Sequence, residues 1–375
     1  MSKRRVAVTG GFGFLGWHTA CRLRALHDMQ PVRLGREAFA DPARLASALE
    51  GVDAVLHIAG VNRAATVKEV EQGNIAIAGA LAQALNAIGQ PVDVVYANSV
   101  QAEVDNPYGR GKARAGEILG EVVRAAGGRF ADLLLPNLFG EHGRPAYNSF
   151  VATFADDVIS GRTPTVTNDR KIRLLHAQDA ARALIGALGF DGRQVVEADS
   201  IGIGEVLTCF EEFHELYAQR GEVPDISTAM RRNLFNTYRA AAFPTMWPIS
   251  PSVHSDNRGR LFETVRVHGG TGMAFMSTTL PGEKRGEHYH LHKVERFFVV
   301  RGEAEIELRR LFHDEVVRFR LSGDQPSFVD MPTLWVHNIR NVGDSELVTM
   351  FWADKLLDVT SPDQYPATVH QETTA

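Results

Sequence analysis

Two groups of residues in this sequence have the types and spacings of reactive sites. Tyr108 and Lys112 stand four apart within Asn106-Pro107-Tyr108-Gly109-Arg110-Gly111-Lys112, which reads as a helix start, so their side chains share one helical face. A phenol with a reference pKa of about 10 is a poor acid or base at neutral pH, but an adjacent ammonium favours the phenolate and draws that pKa toward the working range. Ser99, at the end of an apolar run, can then donate a hydrogen bond to a carbonyl, and the three together polarise a ketone for hydride attack. The second group is His288, His290, Glu295 and His337. Residues two apart on a strand project from one face, so the first two histidines converge, Glu295 can return to that face across a turn, and His337 would complete the shell. Imidazoles plus a carboxylate suit a divalent metal such as zinc, manganese, iron or nickel, with zinc the first expectation because no redox step is required. His292 lies on the same face and is open to three roles: extra ligand, proton-transfer base or rim residue.

A third signal is Thr9-Gly10-Gly11-Phe12-Gly13-Phe14-Leu15-Gly16, set between a strand pattern and a helical one. Glycines there let the backbone turn tightly and approach a pyrophosphate, while the helix N-terminus offers N–H groups and a positive dipole end. The expected cofactor contacts are Gly10, Phe12, Gly13, Phe14 and Gly16. Past the second strand, where an acidic residue would bind the ribose 2′-hydroxyl of NAD, stand Arg33, Gly35 and Arg36. Arginine there favours a 2′-phosphate, so NADPH is expected over NADH.

These groups need two different scaffolds. Up to about residue 190, short β-branched runs (Val6 to Thr9, Pro31 to Leu34, Ala54 to Ile58, Val92 to Ala97, Ala131 to Leu135) alternate with helical patterns such as Asn74 to Ile88. That texture predicts an α/β fold with a doubly wound parallel sheet. After about residue 250, alternating segments such as Phe297 to Val300, Ala304 to Leu308, Val316 to Leu321 and Leu347 to Trp352 predict an all-β sandwich or small barrel. Residues 190–250 are less legible, and the expected domains are 1–248 and 249–375.

Composition narrows the classes. The chain has 375 residues, 44% of them hydrophobic and 23% charged, which is ordinary globular protein and enough for two domains. The net charge of −5 and the lack of a basic run beyond Ser2-Lys3-Arg4-Arg5 argue against a nucleic-acid partner. Cys21 and Cys209 lie far apart without metal spacing, as suits a reducing, cytoplasmic compartment. No apolar run reaches the roughly 18 residues of a membrane span, so no membrane insertion is expected.

The first part of the chain, roughly residues 4–250, resembles the extended short-chain dehydrogenase/reductase family. Asp53-Ala54-Val55-Leu56-His57-Ile58-Ala59-Gly60 is similar to the family's strand beside the cofactor, which implies contacts at Ala59 and Gly60 and again at Tyr108 and Lys112. Asn74 matches the asparagine of the family's catalytic tetrad. Leu135-Pro136-Asn137-Leu138-Phe139-Gly140 is similar to the substrate-side motif, with Leu135 where a basic residue often stands, and implies Asn137 as a substrate contact. His176-Ala177-Gln178-Asp179 resembles a later signature, with Gln178 less acidic than usual. The second part resembles the cupins: Gly282, His288, His290, Glu295 and Gly302 match one motif, and Pro332, His337 and Asn341 a second in which Leu334 replaces glycine. Arg285-Gly286-Glu287-His288 is similar to the sugar-epimerase branch, where the histidine is a base, so His288 has two candidate roles and Arg285 is a candidate substrate contact.

The order of the two parts resembles a family of bifunctional UDP-sugar enzymes of capsule or O-antigen synthesis, in segments that include Arg144-Pro145, Tyr147-Asn148-Ser149, Asp256-Asn257-Arg258-Gly259 and His337-Asn338-Ile339. The resemblance implies Arg144 and Asn148 as substrate contacts and a UDP-linked 2-acetamido-2,6-dideoxy-4-keto-hexose as substrate. It implies C3 epimerisation in a cupin barrel, then NADPH-dependent C4 reduction to UDP-2-acetamido-2,6-dideoxy-L-talose, in a homodimer. Two other readings stay open here: a reductase whose cupin is purely structural, and a regulator that senses NADPH without turning it over.

Overall fold

The computed structural model describes residues 3–26, 28–257, 259–356, 358 and 360–370; Arg258, in one of the segments above, lies outside them. The first half runs β1 (Arg4–Thr9), α1 (Phe14–Ala25), β2 (Met29–Leu34), α2 (Pro42–Leu49), β3 (Ala54–His57), α3 (Val67–Ile88), β4 (Asp93–Ser99), α4 (Pro107–Ala125) and β5 (Phe130–Leu135). It continues through β6 (Asn137–Phe139), α5 (Phe150–Ile159), β7 (Lys171–His176), α6 (Ala177–Gly186), β8 (Gly192–Val195), β9 (Asp199–Gly202), α7 (Ile203–Phe213) and α8 (Ala229–Ala242). Six strands form one parallel sheet in the order β2-β1-β3-β4-β5-β8. Period-two alternation splits its apolar residues between two cores. Ala7, Val55 and Val94 pack with Leu81, Leu85 and Leu119, while Val6, Val8, Leu56 and Val95 pack with Leu15, Leu23 and Leu184. A sheet buried on both faces needs helices on both, which is why its strands read as near-continuous apolar runs.

Local signals set the helix ends that matter to the site. Thr66 and Glu69 form a capping box at the start of α3, which stops at Gly89 in the left-handed region. The α4 helix opens with Asn106, whose side chain accepts from Gly109 N, and with Pro107 in its first turn.

The second half is antiparallel. A hairpin, β10 (Val253–Asp256) with β11 (Gly259–Phe262), precedes β12 (Met273–Thr279), β13 (Lys284–Tyr289), β14 (Glu295–Arg301), β15 (Glu303–Arg310) and β16 (Val316–Ser322). β17 (Phe328–Met331), β18 (Trp335–Asn341), β19 (Leu347–Ala353) and β20 (Tyr365–Pro366) follow. The strands form two sheets, β12-β19-β14-β17 and β16-β15-β18-β13-β20.

Contacts gather the chain into two compact units, Met1–Phe139 with Lys171–Ile201, and Gly140–Arg170 with Gly202–Ala375. Whereas the expected division at 248/249 follows chain order, α7 and α8 pack inside the second unit. The reason lies in buried side chains of α8 and of the helical turn His214–Ala218 that continues α7: Tyr217 donates to Asp330 at 2.6 Å, Arg239 Nη1 to Met331 O at 3.2 Å, and Asn236 Nδ2 to His292 O at 2.9 Å. Arg296 closes this network with bidentate bonds to Asp330 at 2.7 and 3.0 Å. Among the described residues no helix is long and apolar enough to cross a membrane.

Candidate active and metal sites

The β4 strand delivers Ser99 and α4 delivers Tyr108 and Lys112, all within the first unit. Ser99 and Tyr108 are hydrogen-bonded through their side chains. Lys112 is buried; its ammonium donates to Ala97 O at 2.7 Å and stands 4.2 Å over the ring of Tyr96. Burial draws Lys112 down to about 7, with the Asp132 carboxylate opposing the shift. The phenol of Tyr108 is pushed up by burial and eased down by Ser99, the opposite of the lowering expected from the lysine. The ammonium is spent on Ala97 O and the face of Tyr96, and its own charge is weakened by burial. Tyr108 is accordingly protonated at neutral pH.

Asn74 is buried, but its side chain serves the loop after β3: it accepts from Val61 N at 3.1 Å and donates to Val61 O and Val70 O, each at 2.8 Å. Gly60 lies against it, since a Cβ there would come 3.0 Å from Asn74 Oδ1. Thr9 fixes the neighbouring stretch. Its hydroxyl oxygen accepts from Ile58 N and Ala59 N at 3.0 and 3.1 Å and lies 2.8 Å from His57 Nδ1. With two donors on that oxygen, its own proton goes to Nδ1, which leaves His57 neutral; burial, then the charge of Lys112, brings His57 down to about 3.

The glycine turn fits a bound dinucleotide. At Gly16 a Cβ would stand 2.1 Å from Gly10 O, so only glycine allows α1 to start so close to β1. Gly13 caps α1 with no side-chain bond, and no acidic residue lies in the first turn, so the helix N-terminus is left to a phosphate. Phe12 is exposed and carries the Arg33 guanidinium 4.5 Å above its ring, while Phe14 meets His18 edge-on at 5.1 Å. Arg36 is exposed at the end of β2, and the Glu37 carboxylate folds against Gly35, where a Cβ would come 2.5 Å from its oxygen.

Of the four substrate candidates, Asn137 is exposed on β6 and donates to Arg173 O, and Arg144 lies 5.3 Å over the ring of Tyr147. Asn148 is exposed just before Ser149, the cap of α5, and Arg285 is bonded to Thr278 O and Thr279 Oγ1.

In the second unit, His288, His290, Glu295 and His337 present one ligand atom each, all within 4.8 Å of one another. They come from β13, the turn after it, β14 and β18, so both sheets contribute. The donor set fits a divalent ion. Nε2 of His288 and of His337 are buried without a hydrogen-bond partner, and Glu295 Oε2 lies 3.0 Å from His290 Nε2 and 3.4 Å from His337 Nε2. Burial, then the neighbouring histidines, brings His288 down to about 3, and burial lowers His337, so both rings are neutral with lone pairs to give. Opposing burial, His290 and His337 hold Glu295 well below the usual carboxylate range. His337 Nδ1 faces Trp335 O at 3.1 Å and His290 Nδ1 faces Asp363 O at 2.6 Å, which directs each Nε2 to the cluster. His292 is half-buried, its carbonyl bonded by Asn236 and its N–H by Asp363 at 2.9 Å.

Sequence reasoning missed Asp132, Asn98 and Asp363. Asp132 accepts from Asn98 Nδ2 at 2.7 Å and Arg193 Nε at 2.8 Å, and Asn98 Oδ1 accepts from Ser99 N at 2.8 Å. A polar residue inside an apolar strand run was the available signal, since a buried carboxylate needs partners.

Over residues 6–196 the chain matches the NAD dependent epimerase/dehydratase family, and over residues 254–365 a family described as polysaccharide biosynthesis C-terminal domain. The chain belongs to the NAD dependent epimerase/dehydratase family. A UDP-2-acetamido-2,6-beta-L-arabino-hexul-4-ose reductase of Pseudomonas aeruginosa is 31% identical over 378 residues, covering 97% of this chain and 99% of that protein. The capsular polysaccharide assembling protein CapF of Staphylococcus aureus is similar in structure, with a TM-score of 0.63 and 28% identity over 97% of this chain and 99% of CapF. The match over residues 254–365 shows that this member of the family carries an additional C-terminal domain.

Proposed function

We propose that this chain acts on a UDP-linked 2-acetamido-2,6-dideoxy-4-keto-hexose in two steps, C3 epimerisation and then NADPH-dependent C4 reduction to UDP-2-acetamido-2,6-dideoxy-L-talose. The setting is cytoplasmic synthesis of capsule or O-antigen sugar, by a homodimer whose domains are 1–248 and a cupin barrel, 249–375. Near-full-length likeness to a reductase of such a 4-keto sugar supports the substrate class. The Ser99–Tyr108 bond beside buried Lys112 carries the reductase reading, and the His288, His290, Glu295 and His337 cluster supports the epimerase.

When bound, NADPH supplies the hydride, and a divalent ion, zinc first, supplies Lewis acidity for an enolate. A phenol held protonated suits the reducing direction: Tyr108 donates its proton to O4 as C4 becomes tetrahedral, Ser99 holds that oxygen, and Lys112, one turn along α4, ties the helix to Ala97 O and so keeps Tyr108 in place. Asn74 keeps the loop at Ala59 and Gly60 in place, and Gly10, Gly13 and Gly16 would hold the cofactor's phosphates with Arg36 on a 2′-phosphate. At the other site His288, His290, Glu295 and His337 would hold the ion, and His292, in the turn beside them, would take the C3 proton, which is returned on the opposite face. That proton is acidic only while C4 is a ketone, so epimerisation precedes reduction.

Incubation of the 4-keto sugar in heavy water without NADPH tests this. Deuterium should enter C3 with the native protein and with Tyr108→Phe, and should fail to enter with His290→Ala. Exchange that survives His290→Ala would leave the C-terminal domain with a structural role alone.

A further inference from the structure

Residues 363–369 carry no motif, yet they are bonded to the stretch that supplies His288 and His290. Asp363 has a positive φ of 46°, and its carboxylate accepts from three successive N–H groups, Leu291 at 3.0 Å, His292 at 2.9 Å and Lys293 at 2.8 Å. The next N–H, of Val294, is taken by Asp354 at 3.0 Å. The turn between His290 and Glu295 is therefore shaped by carboxylates from a distant part of the chain. Asp363 also acts through its backbone, because its carbonyl faces His290 Nδ1 at 2.6 Å. A carbonyl only accepts, so Nδ1 is the donor there, and the ring is held with its other nitrogen, Nε2, turned to Glu295 in the cluster.

The segment after Asp363 binds the strand that carries His288. Tyr365 and Pro366 pair with Tyr289 and His288. Ala367 N donates to Glu287 O at 3.0 Å and Val369 N to Glu287 Oε2 at 2.8 Å, while Arg309 Nη2 holds Thr368 O at 2.8 Å. Both sides of the two-histidine stretch are fastened.

We infer that residues 363–369 are a clamp that presets the metal site, with Asp363 its positioning residue, a reading that rests on the metal binding proposed above. The carboxylate fixes the turn that spaces His290 from Glu295, and the carbonyl fixes the tautomer of His290. Partners of this kind behind a metal ligand change affinity by about 10- to 100-fold.

The test is zinc affinity, measured by chelator competition on the full-length protein, together with the visible spectrum of the cobalt-substituted form. Asp363→Asn retains a residue suited to positive φ but puts an amide N–H₂ where an acceptor is needed; Asp363→Ala removes the acceptor altogether. Both should weaken zinc by about 10- to 100-fold and shift the cobalt bands, with secondary structure by circular dichroism unchanged for Asp363→Asn. Native protein that takes up zinc while Asp363→Asn holds it as tightly, with the same cobalt spectrum, overturns the clamp alone. Native protein that takes up neither metal overturns the metal reading and the clamp with it. If Asp363→Ala does not fold, the Asn variant decides.

Discussion

Lys112 is buried against Tyr96, Ala97 and Asp132, and its pKa falls to about 7 in the folded protein against about 10.4 when exposed. Between those values the unfolded chain holds more protons than the folded one, so the contribution of Lys112 to stability rises with pH across that window. Without added cofactor, the melting temperature of the native protein should climb relative to Lys112→Met as pH goes from 6.5 to 9; a constant difference would reject the buried-ammonium account. Tyr108→Phe keeps the ring and loses the proton, so C4 reduction should fall by about 10²- to 10⁴-fold. Arg36 is exposed just past β2, and the NADPH reading proposed above assigns it the 2′-phosphate. Arg36→Ala should raise the NADPH KM by about tenfold, as for a lost charge-assisted bond, and leave NADH untouched. Initial rates with both cofactors decide, and an unchanged NADPH KM removes Arg36 from the site.

The α4 helix carries Tyr108 and Lys112, and two of its glycines separate packing from propensity. At Gly109 a Cβ would lie 2.2 Å from Gln101 O and 2.3 Å from Val104 O, so alanine there must push the helix start away from the turn that follows Ser99. At Gly116 the nearest atoms, on Asn98, Asp132 and Tyr96, are 3.5 to 3.6 Å away, ordinary contact. Gly109→Ala should destabilise by about 1–3 kcal/mol and depress reduction. Gly116→Ala should be neutral, or stabilise by up to about 1 kcal/mol through helix propensity. Thermal denaturation of the pair is the check, and equal behaviour would mean the turn is not the constraint.

At the scale of the molecule, the second unit joins residues the chain order separates. Tyr217 reaches the buried Arg296–Asp330 pair, and losing that hydroxyl leaves Asp330 one donor short. Tyr217→Phe should cost about 1–3 kcal/mol, as for a bond to a buried charge, read as a lower midpoint in urea. A fragment of residues 249–375 lacks Tyr217, Asn236 and Arg239 altogether and should show no cooperative thermal transition. A sharp transition in that fragment would show that the β strands need no support from α8 and the turn His214–Ala218.

Strands β1 to β5, the glycine turn and the two reactive groups were legible because each depends on spacing along the chain. Turns need glycine at set offsets, apolar runs mark a doubly covered sheet, and residues two apart on a strand share a face. The exposed edge strand β8 was not, since no apolar run marks it. What only tertiary structure decided are the long-range pairings: Asp132 behind Ser99, Asp363 behind His290, and α8 against the turn that carries His292. The protonated state of Tyr108 belongs with them. Its partner Lys112 was plain from a four-residue spacing, but the burial that raises the phenol and weakens the ammonium is set by packing that no local pattern records.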